Sequence, residues 1–148
     1  GINILGLWLL VYIAEKRFGT QDLREMGGIA KVAPIFTTAL VIISFANISL
    51  PLTNSFPAEF MMFTALFNSG STYAIGLTVF AGLGIIFGAI YTLRMIQQVA
   101  FGPADEVKNN KFKDLDWSQT VVMAVIVGII LVIGFYPNLI FNLISTTS

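Results

Sequence analysis

The sequence contains neither cysteine nor histidine, and charged residues are scarce. Without these two residue types the chain cannot form a disulfide, a thiolate-bound iron–sulfur cluster, a zinc site of the usual kinds or a histidine-ligated haem. We therefore expect no cofactor. Asp, Glu, Lys and Arg together make up 11% of the residues, and the formal net charge is zero. Because there is no basic run, nucleic acid is not expected as a partner.

Apolar sequence, by contrast, is abundant. Hydrophobic residues make up 56% of the 148 residues, and the mean hydropathy is +0.84. These values are typical of an integral membrane protein. A spanning helix needs ~20 apolar residues, and no long stretch alternates polar and apolar residues as a barrel strand would. The sequence therefore predicts an all-α fold, a polytopic bundle of transmembrane helices.

We expect about four spans in a single membrane domain of residues 1–148, at residues 1–14, 32–67, 73–101 and 117–144. The first segment is too short to cross a bilayer, and it starts with Gly1 and without a basic leader. We interpret it as a truncated helix that began upstream, and the chain as a fragment of a larger subunit.

All lysines and arginines except Arg94 lie in two polar loops. The first loop carries Lys16, Arg17, Arg24 and Lys31, and the second carries Lys108, Lys111 and Lys113. Basic residues favour the cytoplasmic side of short loops. Both loops share that side only if residues 32–67 form one span that is broken in the middle, which is what we predict. In an organelle the corresponding side is the matrix or stroma.

The predicted interruption of the second span runs from Pro51 to Pro57, and Glu59 follows it directly. Glu59 is the only charged residue between Lys31 and Arg94. A proline ends or bends a helix because it lacks the backbone N–H and clashes with the preceding turn. An ionisable group at membrane depth costs roughly 2.5–3.5 kcal/mol or more and is a functional candidate for that reason. Together these features favour ion or proton handling at Glu59.

Two opposing tendencies act on Glu59 in this position. Pro57 suits the first turn of a new helix, with Phe56 as its cap and Glu59 at the third position, where the helix dipole favours a negative charge. Burial favours the neutral acid instead. Thr53, Asn54 and Ser55 are polar and could satisfy the backbone that the interruption frees. The alternative is a mere kink, with Glu59 lying shallow and reaching toward the outer surface.

Five further polar or small residues stand out in the apolar segments. Arg94 either reaches the membrane interface, which is the preferred interpretation, or lines a polar channel with Tyr91, Gln97 and Gln98. Ser44 and Asn47 share one helical face before the interruption and could bond to backbone or to water. The spacing of Gly84 and Gly88 predicts close packing between helices.

These residues resemble a known family, the M-type (chain 4) antiporter-like membrane subunits of respiratory complex I. The resemblance covers essentially the whole chain and rests on the order and spacing of its motifs. The motifs are Gly27-Gly28, Pro34, Leu50-Pro51-x-Thr53-x-x-Phe56-x-x-Glu59-Phe60, Tyr91-x-x-Arg94, Phe101-Gly102 and Gly134-Phe-Tyr-Pro137.

The resemblance implies that the chain matches the last four of fourteen spans, and that Glu59 is the family's glutamate in the broken helix of the outward proton path. Related subunits usually carry lysine there. It further implies a proton-pumping NADH–quinone oxidoreductase subunit without a redox centre, with other complex I membrane subunits, the lipid bilayer and protons as partners. We expect the protein to lie in a bacterial plasma membrane, with a mitochondrial inner membrane as the alternative location.

The chain departs from the family pattern where Leu52 and Ala58 stand in place of frequent glycines. The lysines of the inlet half would lie upstream, so this chain alone is not expected to pump. Two alternatives stay open: a structural membrane scaffold, and a subunit of a related multisubunit sodium/proton antiporter. An independent transporter with an inverted repeat is disfavoured, because no second interrupted helix matches the first.

Overall fold

The computed structural model describes residues 1–19, 26–103, 113–138 and 142. These residues form six helices and no strand, which confirms the predicted all-α fold. The helices are α1 (Ile2–Phe18), α2 (Ile29–Val32), α3 (Pro34–Asn47), α4 (Phe56–Phe67), α5 (Ala74–Phe101) and α6 (Trp117–Phe135). Helices α5 and α6 are long and apolar enough to cross a membrane, whereas α3 and α4 are shorter apolar helices.

Several predicted positions lie outside the described residues. They are Arg24, Lys108 and Lys111, together with residues 139–141, 143 and 144 at the end of the predicted last span.

The first helix continues past the apolar segment from which it was predicted. Its last turn contains Lys16 and Arg17, and it ends at Phe18. Gly19 caps it with a left-handed backbone, φ 69°. Basic side chains interact favourably with the carbonyl end of a helix, and glycine adopts the left-handed conformation without strain. The polar residues that suggested a loop therefore belong to the helix terminus.

Helix α3 ends at Asn47, earlier than the predicted stop at Pro51. The N–H of Leu50 donates to Phe45 O at 3.2 Å and that of Ser49 to Ala46 O at 3.3 Å. Ser49 itself has a left-handed backbone, with φ 56°. The two bonds and this left-handed residue form a Schellman motif, which closes many helices. Proline commonly follows such a cap, so Pro51 lies just after a stop that the backbone has already made.

Helices α1, α3 and α6 form a three-helix unit that contains most of the buried apolar residues. Gly6 of α1 allows the close approach, because a Cβ there would lie 2.9 Å from the Ile43 Cδ1 atom of α3 and 3.2 Å from Ile126 Cγ2 of α6. The largest fully buried apolar side chains are Leu10, Ile29, Phe36, Ile43 and Ile130.

One end of the three-helix unit is joined by a polar network around Asp114. Its carboxylate accepts from the N–H groups of Ile35 and Phe36, both at 3.1 Å, and so caps the N-terminus of α3. Its carbonyl accepts from Arg17 Nη1 at 2.7 Å. Arg17 also donates to Gln119 Oε1 at 2.8 Å. The ends of α1, α3 and α6 therefore meet here.

The described parts of the two basic loops lie at this same end. Besides the Arg17 contact with Asp114, the backbone of Gly27 touches the carbonyl of Pro103 so closely that a Cβ could not be accommodated. This arrangement agrees with one broken span between the loops. The side of the membrane that they face stays a prediction.

Helices α4 and α5 form a hairpin with little cover. No residue of α4 is buried. In α5 the buried residues are Ala74 at the start and Thr92, Ile96, Val99 and Ala100 near the end. Helix α5 contacts α2 and α3 as well as α4.

Candidate functional site

Residues 48–55 separate α3 from α4 and are here called the break. The predicted interruption is thus present, although it begins and ends a few residues earlier than expected. Ser49 and Leu52 both have positive φ, 56° and 76°. A left-handed conformation costs a residue with a Cβ roughly 1–2 kcal/mol. The glycine that is frequent in the family at the position of Leu52 would adopt it freely.

Two side chains of the break form hydrogen bonds, one with the backbone of the break and one with a side chain of α1. Thr53 is 6% exposed, and its hydroxyl donates to Leu50 O at 2.6 Å. Ser55 Oγ accepts from Asn3 Nδ2 of α1 at 3.0 Å, and the same Asn3 nitrogen also donates to Ala46 O at 3.1 Å. Asn3 therefore links the end of α3 to the start of α4.

The last helix approaches the break through a glycine. A Cβ on Gly134 would overlap the carbonyl of Leu52 and crowd Thr53. Only glycine allows two backbones to come this close. This contact gives a structural reason for the Gly134-Phe-Tyr-Pro137 motif that the sequence singled out.

Glu59 lies in the first turn of α4, and its N–H donates to Ser55 O at 3.2 Å. Ser55 is the N-cap, so the helix starts one residue earlier than predicted and Phe56 lies inside it. Glu59 remains in the first turn of the helix, close to its exposed backbone N–H groups. The side chain is partly buried.

Glu59 faces a groove of about 400 Å³ between the end of α3, the start of α4 and the middle of α5. This is called the Glu59 groove. It is lined by Asn47, Ile48, Glu59, Ala81, Gly84, Ile85, Gly88, Tyr91 and Thr92. The carboxylate therefore shares one concave surface with an amide and two hydroxyl groups.

Small residues on α5 leave room for this groove. A Cβ added at Gly84 or at Gly88 would meet no atom within 4 Å. The prediction that these glycines serve close helix packing is therefore wrong in the part of the chain that the structure describes. The groove that they line also includes Glu59 of α4.

The other predicted site residues divide between core and surface. Ser44 is fully buried in α3, whereas Asn47 is exposed and lines the Glu59 groove. The structure separates them because α3 ends at Asn47, where the chain turns into the break. Arg94 is exposed on α5 and is not among the lining residues. Pro51 is exposed and Pro57 is the second residue of α4.

Two polar residues near the break were missed by the sequence reasoning. Thr92 follows Tyr91 directly and is 7% exposed, but a threonine in an apolar helix is common and gives no signal by itself. Asn3 is the only amide in the apolar segment of residues 1–14, and its isolation there could have marked it as a candidate. Across residues 1–19, 26–103 and 113–138 no group of acidic residues could hold a metal ion.

Comparison with known proteins gave one family and a consistent set of relatives. The model of a family described as "NADH:quinone oxidoreductase/Mrp antiporter, TM" matches residues 2–97. The chain is 29% identical over 148 residues to "NADH-ubiquinone oxidoreductase chain 4" of Chondrus crispus. It is 30% identical over 142 residues to "NADH-quinone oxidoreductase subunit M" of Rickettsia prowazekii, and 28% over 145 residues to the protein of that name in Mycobacterium tuberculosis.

These alignments cover nearly all of this chain but a small part of each relative. The shares of this chain are 100%, 96% and 98%, and the shares of the three relatives are 29%, 28% and 25%. The chain thus spans less than a third of their length.

Proposed function

Because this chain belongs to the NADH:quinone oxidoreductase/Mrp antiporter family of transmembrane proteins, we propose that it is part of a proton-translocating subunit of NADH–quinone oxidoreductase. The relatives confirm the M-type resemblance. The chain is accordingly an integral membrane protein, and we place it in a bacterial plasma membrane or a mitochondrial inner membrane. Its partners in this proposal are the other membrane subunits of complex I, and electron transfer takes place elsewhere in the complex.

The proposed role of this segment is the outward half of a proton path, with Glu59 as the group that accepts and releases the proton. The observation that carries it is the placement of Glu59 in a groove beside a broken helix, together with Asn47, Tyr91 and Thr92. An amide and two hydroxyls can hold water or bond to a carboxyl group in either protonation state. Non-helical backbone at membrane depth is tolerated where it lines such a cavity.

Glu59 lies in the first turn of α4, is partly buried and lines the Glu59 groove. The proton arrives from an upstream relay in the full-length subunit and leaves toward the outer side.

The test is Glu59→Gln in the full-length subunit within its complex, with proton uptake into sealed vesicles measured alongside NADH oxidation. We expect fewer protons moved per electron, because glutamine keeps the shape and hydrogen bonds of the acid but cannot titrate. The matched control is Glu15→Gln, which makes the same chemical change at an exposed residue on α1. Unchanged pumping in Glu59→Gln would rule out the role.

A second candidate follows from the family description, which joins NADH:quinone oxidoreductases with Mrp antiporters. In that case the groove would serve sodium/proton exchange. Proton movement would then require sodium and would proceed without NADH. The M-type proposal expects the opposite dependence on both.

A third candidate is a structural scaffold, as the tight packing of Gly6 and Gly134 would allow. It predicts that Glu59→Gln lowers neither pumping nor NADH oxidation. A dry Glu59 groove in the intact complex would also favour it.

A further inference from the structure

Four oxygen atoms around the break are buried and have no hydrogen-bond partner among the described residues. They are Asn3 Oδ1, Ser44 Oγ, Ser49 Oγ and Asn54 Oδ1. Burying a polar group without a partner is costly, and native proteins usually satisfy such groups with other side chains or with ordered water. A cluster of this kind therefore points to a polar ligand.

The residues that carry three of these oxygens lie near the side-chain amide of Asn3. Its amide nitrogen donates to Ser55 Oγ, in the residue after Asn54, and to Ala46 O. The same Ala46 carbonyl accepts from the Ser49 N–H at 3.3 Å. Asn3 is 7% exposed and Ser49 is 8% exposed. Asn3 and Ser49 thus both donate to the Ala46 carbonyl, and Asn54 precedes the second partner of Asn3 in the chain.

We propose that Asn3, Ser49 and Asn54 form a site for buried water inside the break. The chemistry of the atoms selects this ligand. Both amide oxygens only accept hydrogen bonds, while the serine hydroxyl can donate one. Water donates two bonds and accepts others, and buried waters typically make two to four contacts of this kind. The residues carry no charge, which suits water better than a cation.

This site adjoins the Glu59 groove but is distinct from it. Ile48 lines the groove, and its chain neighbour Ser49 contributes to the water site. In addition, Asn3 comes from α1, which supplies no residue to the groove. The water would complete the hydrogen bonds that hold the ends of α3 and α4 together. The inference stands whether or not Glu59 carries protons.

The test is a structure of the full-length subunit in its complex, at a resolution that shows ordered water. We expect a density peak about 2.7–3.2 Å from Asn3 Oδ1 and from Ser49 Oγ or Asn54 Oδ1. Absence of a peak would overturn the proposal. So would a peak with the distances of a bound cation, about 2.3–2.6 Å, or a side chain from elsewhere in the protein that donates to Asn3 Oδ1.

Variants examined in the same way establish which residues hold the water. Ser49→Gly removes one partner and suits the left-handed backbone at this position, so it is expected to fold and to weaken or shift the peak. Asn3→Leu has a similar size without polar atoms and should abolish the peak. Asn68→Leu, at an exposed asparagine after α4, is the control and should leave it unchanged. A peak that keeps its position and strength in both test variants would overturn the assignment.

Discussion

The three-helix unit of α1, α3 and α6 and the hairpin of α4 and α5 are built from similarly apolar sequence, yet they differ in burial. Most of the core side chains lie in the three-helix unit, whereas α4 has no buried residue and the buried residues of α5 other than Ala74 lie near its C-terminal end. Apolar composition therefore predicts membrane residence but not which helices pack on each other. The break and Glu59 lie where the two regions meet.

A matched pair of isoleucines tests the difference in burial between the two regions. Ile43 of α3 is completely buried and Ile86 of α5 is 55% exposed. We expect Ile43→Ala to lower the free energy of unfolding by about 2–5 kcal/mol, because it leaves a cavity among three helices. Ile86→Ala should change it by less than about 1 kcal/mol. Denaturant unfolding of the full-length subunit in detergent measures both, and equal losses would contradict the division.

A pair of glycines gives the next largest effect. A Cβ at Gly134 would overlap the backbone of the break, whereas a Cβ at Gly84 would enter open space. Gly134→Ala should cost about 3 kcal/mol of stability through overpacking. Gly84→Ala should be neutral or stabilising by about 1 kcal/mol, because alanine favours a helix.

Thermal unfolding of the two glycine variants measures the difference. Loss of stability only in Gly84→Ala would show that α4 packs closely on α5, as the sequence spacing had suggested.

Leu52→Gly has the smallest expected effect on stability, and it tests whether the backbone of the break is strained. Leu52 has φ 76° and its side chain is 57% exposed, so little packing is lost when it is removed. Relief of the left-handed strain should raise the stability by about 1 kcal/mol. Ala58→Gly, inside the first turn of α4, is the comparison and should lower it by a similar amount. A decrease for Leu52→Gly would mean that the strain is absent.

Much of the fold could be predicted from the sequence. Helix type, the interrupted span and the position of Glu59 after it follow from hydropathy and from Pro51 and Pro57, which are local signals. The helix boundaries were less accurate, because the Schellman cap at Ser49 is a property of backbone conformation. No glycine or asparagine marks that position.

Contacts between distant parts of the chain could not be predicted. Asp114 caps α3 from 79 residues away, and Asn3 reaches Ser55 across 52 residues. A single sequence contains no pairing information for such contacts. The same limit explains the error at Gly84 and Gly88, since their spacing indicates a smooth helix face but not the distance of the neighbouring helix.

In this proposal Glu59 works by taking up and releasing a proton. The direct test of this role is the number of protons pumped per electron in sealed vesicles that contain the full-length subunit with Glu59→Asp or Glu59→Gln. Aspartate keeps a titratable carboxyl group one methylene shorter, so Glu59→Asp should retain much more pumping than Glu59→Gln. Equal ratios in the two variants and the wild type would contradict the account.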